Sequence, residues 1–251
     1  MADHGHCNAI LRLVRLPIKF YIMKFQYVFI ALFSAASLLS CDKDDTPQPT
    51  ASVNVIHASP DAPGVDLLVD NLKVNTAALN YPDATGYVKV VAGTRNIKVN
   101  ATGTNNSVIN ANLTFMADRF YSVYAYNLLA SIGAIVVEDN LALPAAGQAH
   151  IRFFHLSPNA PSVTVGTLSG TTFTPVFSNR SFETQTTATA NQNFTPVAAG
   201  TYTFDVRANG SSVLNLPNIV LQAGKIYTVF ARGLVAGAGT QALGAQIVTH
   251  N

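Results

Sequence analysis

The chain contains no tryptophan and only two cysteines in 251 residues. Both cysteines, Cys7 and Cys41, precede the stretch that carries the strand-forming pattern, so that stretch has neither a disulfide framework nor a cysteine zinc site. Charge is scarce as well: Asp, Glu, Lys and Arg make up 11% of the chain, against about 25% in an average soluble protein. Glutamate occurs only as Glu138 and Glu183. There is no G-x-S-x-G, no H-E-x-x-H, no P-loop and no dinucleotide fingerprint. The protein is therefore expected not to be an enzyme and to need no cofactor. A carboxylate pair for glycoside hydrolysis would have to be assembled from distant aspartates, which leaves a hydrolase as the third-ranked reading.

The formal charge of +2 belongs to the N-terminal segment. Arg12, Arg15, Lys19, Lys24 and Asp3 all precede Cys41; without them eleven basic residues face twelve acidic ones, a balance of about −1. That excludes the basic footprint of a nucleic-acid binder.

Apolar residues fill 49% of the chain, enough for a packed core. Thr, Asn, Ala and Val with scattered Gly and Pro favour strands and turns over helices.

Lys24 opens an apolar run, FQYVFIALFSAASLLS, that ends at Cys41. A basic start, an apolar middle and small residues before a cut site make a secretory signal over residues 1–40, with Met23 the expected start. Leu38-Leu39-Ser40-Cys41 resembles the lipobox of bacterial lipoproteins. The resemblance implies that Cys41 becomes the acylated first residue, a membrane partner through its lipid. Residues 41–50 read as an acidic, proline-containing tether. Within it Lys43-Asp44-Asp45 resembles the acidic export signal of Bacteroidota lipoproteins, which implies an outer-membrane protein facing the cell exterior; the periplasmic leaflet is the alternative.

Beyond the tether one motif occurs twice. HASPDAPGVD runs from His57 to Asp66 and HLSPNAPSVT from His155 to Thr164. Two prolines three apart, Pro60 and Pro63 or Pro158 and Pro161, cannot continue a helix and read as a rigid turn between strands. Repetition at this distance predicts two copies of one domain, over residues 51–140 and 149–251, with DNLALPAAGQ between them. Through the first repeat strands recur every eight to twelve residues, and no helix-period stretch interrupts. This predicts an all-β protein of two tandem immunoglobulin-like sandwiches.

Local patterns refine the reading. Asp70-Asn71 and Asn209-Gly210 predict hairpin turns. YVKVVAGTRNIKVNA reads as a further hairpin around Ala92-Gly93-Thr94. Tyr202, Phe204 and Val206 share one face, and Thr203, Asp205 and Arg207 the other. FMADRFYSVYA and LQAGKIYTVFA place Tyr121 and Tyr227 six residues after an apolar residue with a turn between, as in the tyrosine corner of sandwich domains. Both tyrosines are expected to be structural.

The motif residues are weighed in the same way. His57 and His155 are expected to brace the adjacent turn, since no second His or Cys stands near either one. Asp61, Asp66 and Asp70 lack the alternation and glycine of a calcium loop, so Asp61 is expected to cap the Ser59-Pro60-Asp61 turn, and no metal is expected. Tyr81, Tyr87, Phe173, Phe177 and Phe182 are expected to plug the sandwich ends rather than to form a sugar platform.

The motif Ser59-Pro60-Asp61-Ala62-Pro63 followed by Val65-Asp66, at the start of a β-rich repeat, is similar to the domain-of-unknown-function 4397 family. The second copy keeps Ser157, Pro158 and Pro161 but has Asn159 and Thr164 where the first has Asp61 and Asp66. A role that needs both carboxylates would therefore be confined to the first copy. The resemblance implies a secreted or surface sandwich and supplies no mechanism. The expected function is a surface binding or adhesion module with a polysaccharide or protein ligand; a structural stalk is the alternative.

Overall fold

A computed structural model describes residues 47–251. The signal segment, Met23, Cys41 and the run Lys43-Asp44-Asp45 lie outside the described residues. Residues 47–251 form one compact unit holding its own cores, which is what a self-folding span requires.

The chain forms two β-sandwiches in tandem. The first contains β1 (Thr50–Ala58), β2 (Val65–Val69), β3 (Leu72–Lys73), β4 (Ala84–Val91), β5 (Gly93–Ala101), β6 (Ser107–Phe115), β7 (Phe120–Tyr126) and β8 (Gly133–Glu138). The second contains β9 (Gln148–His155), β10 (Val163–Ser169), β11 (Thr172–Arg180), β12 (Thr195–Ala198), β13 (Gly200–Ala208), β14 (Ser211–Leu221), β15 (Ile226–Arg232) and β16 (Gly244–Thr249), with one helix, α1 (Gln185–Ala190), between β11 and β12.

Strand order repeats strand for strand. The first sandwich has sheets β4-β1-β7-β8 and β3-β2-β5-β6; the second has β12-β9-β15-β16 and β11-β10-β13-β14. In each, the first and seventh strands run parallel at the centre of a sheet. The immunoglobulin arrangement divides its strands as ABED and CFG, so the likeness is one of sandwich architecture and not of strand order.

One expectation needs correction. The stretch around Ala92-Gly93-Thr94 is not a hairpin, because β4 and β5 belong to opposite sheets. Gly93, at φ 103°, lets the chain arch across the sandwich so that both strands turn apolar residues inward. In the second repeat a short helix, α1, stands between strands. Thr184 and Thr187 exchange side chain-to-backbone bonds around its N-terminus, a form of capping box without the Glu or Gln that usually advertises one.

The tight turns follow the residues. Asp70 and Asn71 have φ of 50° and 68°, and Asn209 and Gly210 have 50° and 82°. Two successive positive φ values are what a two-residue turn between twisted strands needs.

Alternation along the central strands builds three cores. Val53, Val55, Tyr121 and Val123 point into the first sandwich. Ile151, Phe153, Tyr227 and Phe204 point into the second. The opposite faces of β1, β7, β9 and β15 supply Ile56, Ala58, Tyr124, Phe154 and Phe230, and Leu156 just past β9 joins them, in a third core shared by both sandwiches. The sheets β4-β1-β7-β8 and β12-β9-β15-β16 are therefore buried on both faces. A fully buried large side chain contributes roughly 1.5–3 kcal/mol, so this shared core joins the sandwiches rather than leaving them as beads on a linker.

The contacts across it are reciprocal. Tyr126, at the end of β7, packs on Phe182 of the second repeat at 5.5 Å. Arg232, at the matching end of β15, packs over Tyr81 of the first at 5.7 Å. Tyr124 and Phe230, each three residues past the tyrosine that closes its repeat's corner (Tyr121 or Tyr227), meet each other at 6.0 Å. Reciprocal pairs of this kind define an isologous interface, here built inside one chain.

Candidate functional site

The doubled motif forms the turn between the first two strands of each repeat, and both copies use it alike. The His57 ring lies 3.0 Å from Pro63 O and the His155 ring 3.0 Å from Pro161 O, each through Nε2. Both rings are fully buried. Burial, only partly offset by these backbone bonds, holds both pKa values below the ordinary histidine value. A neutral ring donating from Nε2 fits that setting.

The fifth motif residue ties the turn to the loop after the seventh strand. Asp61 Oδ1 accepts from Leu129 N at 2.7 Å. Asn159 Oδ1 accepts from Val235 N at 2.9 Å and its amide donates back to Val235 O at 3.3 Å. Ser59 donates to Asp61 at 3.5 Å, while Ser157 donates to Gly233 O at 2.7 Å. An amide oxygen serves as well as a carboxylate here, which accounts for the exchange of Asp61 for Asn159.

The other aspartates go elsewhere. Asp66 pairs with Lys73 at 2.7 Å and accepts from Gly103 N at 3.1 Å. Asp70 pairs with Arg95 at 3.2 Å and accepts from Asn96 N at 2.9 Å. Hydrogen bonds from these partners hold both carboxylates below their ordinary pKa. Among the described residues no three His, Cys, Asp or Glu side chains converge as metal ligands do.

Tyr121 Oη accepts from Met116 N at 3.1 Å and Tyr227 Oη from Gln222 N at 3.2 Å. Each closes the turn ahead of the seventh strand. Tyr121→Phe and Tyr227→Phe are each expected to cost about 1 kcal/mol, read as a lowered urea midpoint with unchanged slope. An unchanged midpoint would mean that the hydroxyl carries no net bond energy.

The aromatic residues do not share a platform. Tyr81 packs on His57 and Phe182 on His155, Phe177 lies in the second core, and Phe173 sits under Arg207 at 4.0 Å. Tyr87 belongs to a polar cluster between the sandwiches.

That cluster is built on Arg152, whose side chain is 0% exposed. Its Nη2 donates to Asp139 Oδ1 at 2.5 Å, its Nε to Thr228 Oγ1 at 2.8 Å and its Nη1 to Gln192 O at 3.2 Å. Thr228 meets His250 Nε2 at 2.7 Å, His250 Nδ1 meets Tyr87 Oη at 2.7 Å, and Tyr87 donates to Asp139 Oδ2 at 2.6 Å. One set of protons satisfies the ring: Arg152 to Thr228, Thr228 to His250, His250 to Tyr87, Tyr87 to Asp139. It requires a neutral His250 carrying its proton on Nδ1. Burial would lower the Arg152 pKa, but the Tyr124 and Asp139 oxygens outweigh it and hold it above the usual value. Phe194 and Phe154 stack on the guanidinium at 4.4 and 5.0 Å. With Arg152, Thr228, Asp139 and His250 buried and Tyr87 half-buried at its edge, this cluster acts as a lock between the sandwiches.

Among the described residues, a cavity lies inside the first sandwich. A cavity of about 320 Å³ lies between its sheets, lined by Val53, Val55, Leu67, Ile97 and Val123 and reaching the segment 74–79 that joins β3 to β4. At the equivalent place in the second sandwich the free volume is about 20 Å³. The registers pair Val55 with Val123 and Phe153 with Val229, and Ile97 and Phe204 take equivalent places on β5 and β13. Phe153 and Phe204 thus stand where Val55 and Ile97 do. Phe177, from the nine-residue β11, stacks on Phe153 at 6.0 Å; the first repeat has only the two-residue β3 at that edge.

Residues 51–166 match the DUF4397 family. Its description is Domain of unknown function. The DUF4397 match takes in the whole of the first sandwich from Ala51, the hollow one, together with β9 and the start of β10. Among curated proteins nothing matches the chain.

Sequence reasoning passed over the cavity and the lock. Asp139 reads as the first residue of a linker, yet it is 4% exposed. The available signal was apolar residues on both faces of a strand, as in Phe153-Phe154 and Val123-Tyr124-Ala125, which marks a sheet buried on both sides.

Proposed function

We propose that the protein is a lipid-anchored cell-envelope lipoprotein, displayed at the outer surface, that acts as a non-catalytic binding module with its ligand seat in the first sandwich. The observation that carries this reading is the contrast between one hollow and one filled sandwich of the same strand order. Ligand sites are few per protein and about 300 Å³ or more in volume, a size that the first sandwich reaches and the second does not, so the second is read as scaffold. The second sandwich is read as a further member of the same family on the strength of that shared order. The anchor is read from the lipobox at Cys41 and the outward address from Lys43-Asp44-Asp45.

The test has two arms. Protease treatment of intact cells should remove the protein if it faces outward, and mass spectrometry of its N-terminal peptide should find acylated Cys41. A thermal screen of residues 47–251 against polysaccharides, matrix proteins and small amphiphiles should find a ligand that raises the midpoint with concentration. A flat screen together with a cross-linked partner of fixed stoichiometry would replace the binding module with a stalk.

A further inference from the structure

We infer that the first sandwich binds a neutral apolar small molecule, an aliphatic chain or a compact hydrocarbon of roughly ten heavy atoms, between its two sheets. The inference rests on the reading of that sandwich as the ligand seat and names the class of ligand it would take.

The size follows from volume. A dry cavity of about 150 Å³ lined by aliphatic side chains accepts benzene, and a water-sized share of liquid is about 30 Å³. The cavity here is about 320 Å³, at the lower end of the range of small-ligand sites.

The chemistry follows from the lining. Val53, Val55, Leu67, Val69, Ile97 and Val123 present only hydrocarbon, and no charged side chain lines the space. Apart from Thr76 at the exposed mouth, the polar side chains at its margin are already engaged. The Asn75 side chain accepts from Leu67 N at 2.8 Å and donates to Val65 O at 3.0 Å and to Ala77 O at 2.7 Å. Thr85 Oγ1 accepts from Val55 N at 3.0 Å and donates to Gly86 O at 2.7 Å. A sugar would bury hydroxyls without partners, and an ion would lose its hydration without a counter-charge. Water gains little there for the same reason. A hydrocarbon loses nothing.

Entry is through the segment between β3 and β4. Val74, Thr76 and Ala77 of the lining are exposed there, and the segment carries no regular strand. A ligand with one polar end would leave that end at Thr76, in water. The far wall is the sheet β4-β1-β7-β8, whose other face is packed on the second sandwich.

The test is calorimetric titration of residues 47–251 with n-hexanol, n-octanol and n-decanol. Decanol should bind saturably, one per chain, and affinity should rise about fourfold per methylene along the series. Val55→Phe, which copies Phe153, should weaken decanol at least tenfold without lowering the unfolding midpoint. Ile97→Phe, which copies Phe204, should do the same and serves if the first variant fails to fold. Non-saturable partitioning of decanol, or unchanged affinity in a folded variant, overturns the inference. If a polysaccharide raises the midpoint and decanol does not, the ligand class falls but the binding reading stands. If no compound of either kind binds, both fall.

Discussion

Replacing Asp139 with Ala should destabilise residues 47–251 by about 3–5 kcal/mol, the cost of leaving one partner of a buried ion pair alone. Arg152 and Asp139 are both fully buried at the side chain and 2.5 Å apart. Without the carboxylate the guanidinium keeps Thr228 and the Gln192 carbonyl, but its charge faces Phe154 and Phe194 with nothing to neutralise it. Ser122 and Tyr87, which both donate to Asp139 Oδ2, lose their acceptor too. Domains of this kind have total stabilities of about 5–15 kcal/mol, so the single change removes a large share. Removing both charges should be far milder. Arg152→Met combined with Asp139→Ala should recover most of the loss, because a buried pair scarcely outperforms apolar packing of similar volume. Urea unfolding of Asp139→Ala, Arg152→Met and the double variant forms the cycle that measures the coupling. A loss below about 1 kcal/mol for Asp139→Ala would show that water reaches the pair, and would remove the lock assigned to it.

The elements most legible in the sequence were those fixed by neighbours along the chain. Asp70-Asn71 and Asn209-Gly210 announce their turns because few residues tolerate two positive φ values in succession. Phe204 and Val206 show their buried face by alternation alone. The repeat of the His-x-Ser-Pro motif shows that the fold is doubled. What was not legible depends on partners distant in sequence. Alternation along β4 and β5 says which residues share a face but not which sheet each strand joins, so an arch and a hairpin look the same until the pairing is known. Arg152 and His250 look like ordinary outward polar positions, and only the docking of the second sandwich makes them interior. The cavity is harder still, since it arises from residues being small: Val55 in place of a phenylalanine, and a two-residue β3 in place of a nine-residue strand. A valine in a strand is the expected residue, and nothing local marks the space it leaves.

Stability should fall as pH drops from about 6.5 towards 4, ahead of the general titration of the carboxylates. Burial, outweighing the pull of Asp139, lowers the His250 pKa to about 4 from an ordinary value of 6.5. Between those values the unfolded chain binds a proton that the folded chain refuses. The slope of unfolding free energy against pH is therefore positive, and the contribution is complete above about 6.5 and lost as pH falls through 4. At about 1.36 kcal/mol per pKa unit, His250 alone accounts for roughly 3 kcal/mol. His57 and His155 are also depressed by burial and add slope of the same sign. The hydrogen bonds give the physical reason at His250. Its Nε2 faces Thr228, which already accepts from Arg152, and its Nδ1 faces Tyr87. A second ring proton would occupy the Nε2 lone pair to which the Thr228 hydroxyl donates, so that this O–H loses its acceptor, and would place a positive charge beside the Arg152 guanidinium; Asp139, 4.0 Å away, compensates only in part. Urea midpoints measured from pH 7.5 to 4.5 should decline with an uptake of one to three protons on unfolding. His250→Gln, although less stable at pH 7.5, should show a shallower decline by close to one proton. A flat profile between pH 6.5 and 4.5 would mean that these rings exchange protons as freely in the folded protein as in the unfolded chain, and that the packing between the sandwiches is looser than the geometry of the cluster requires.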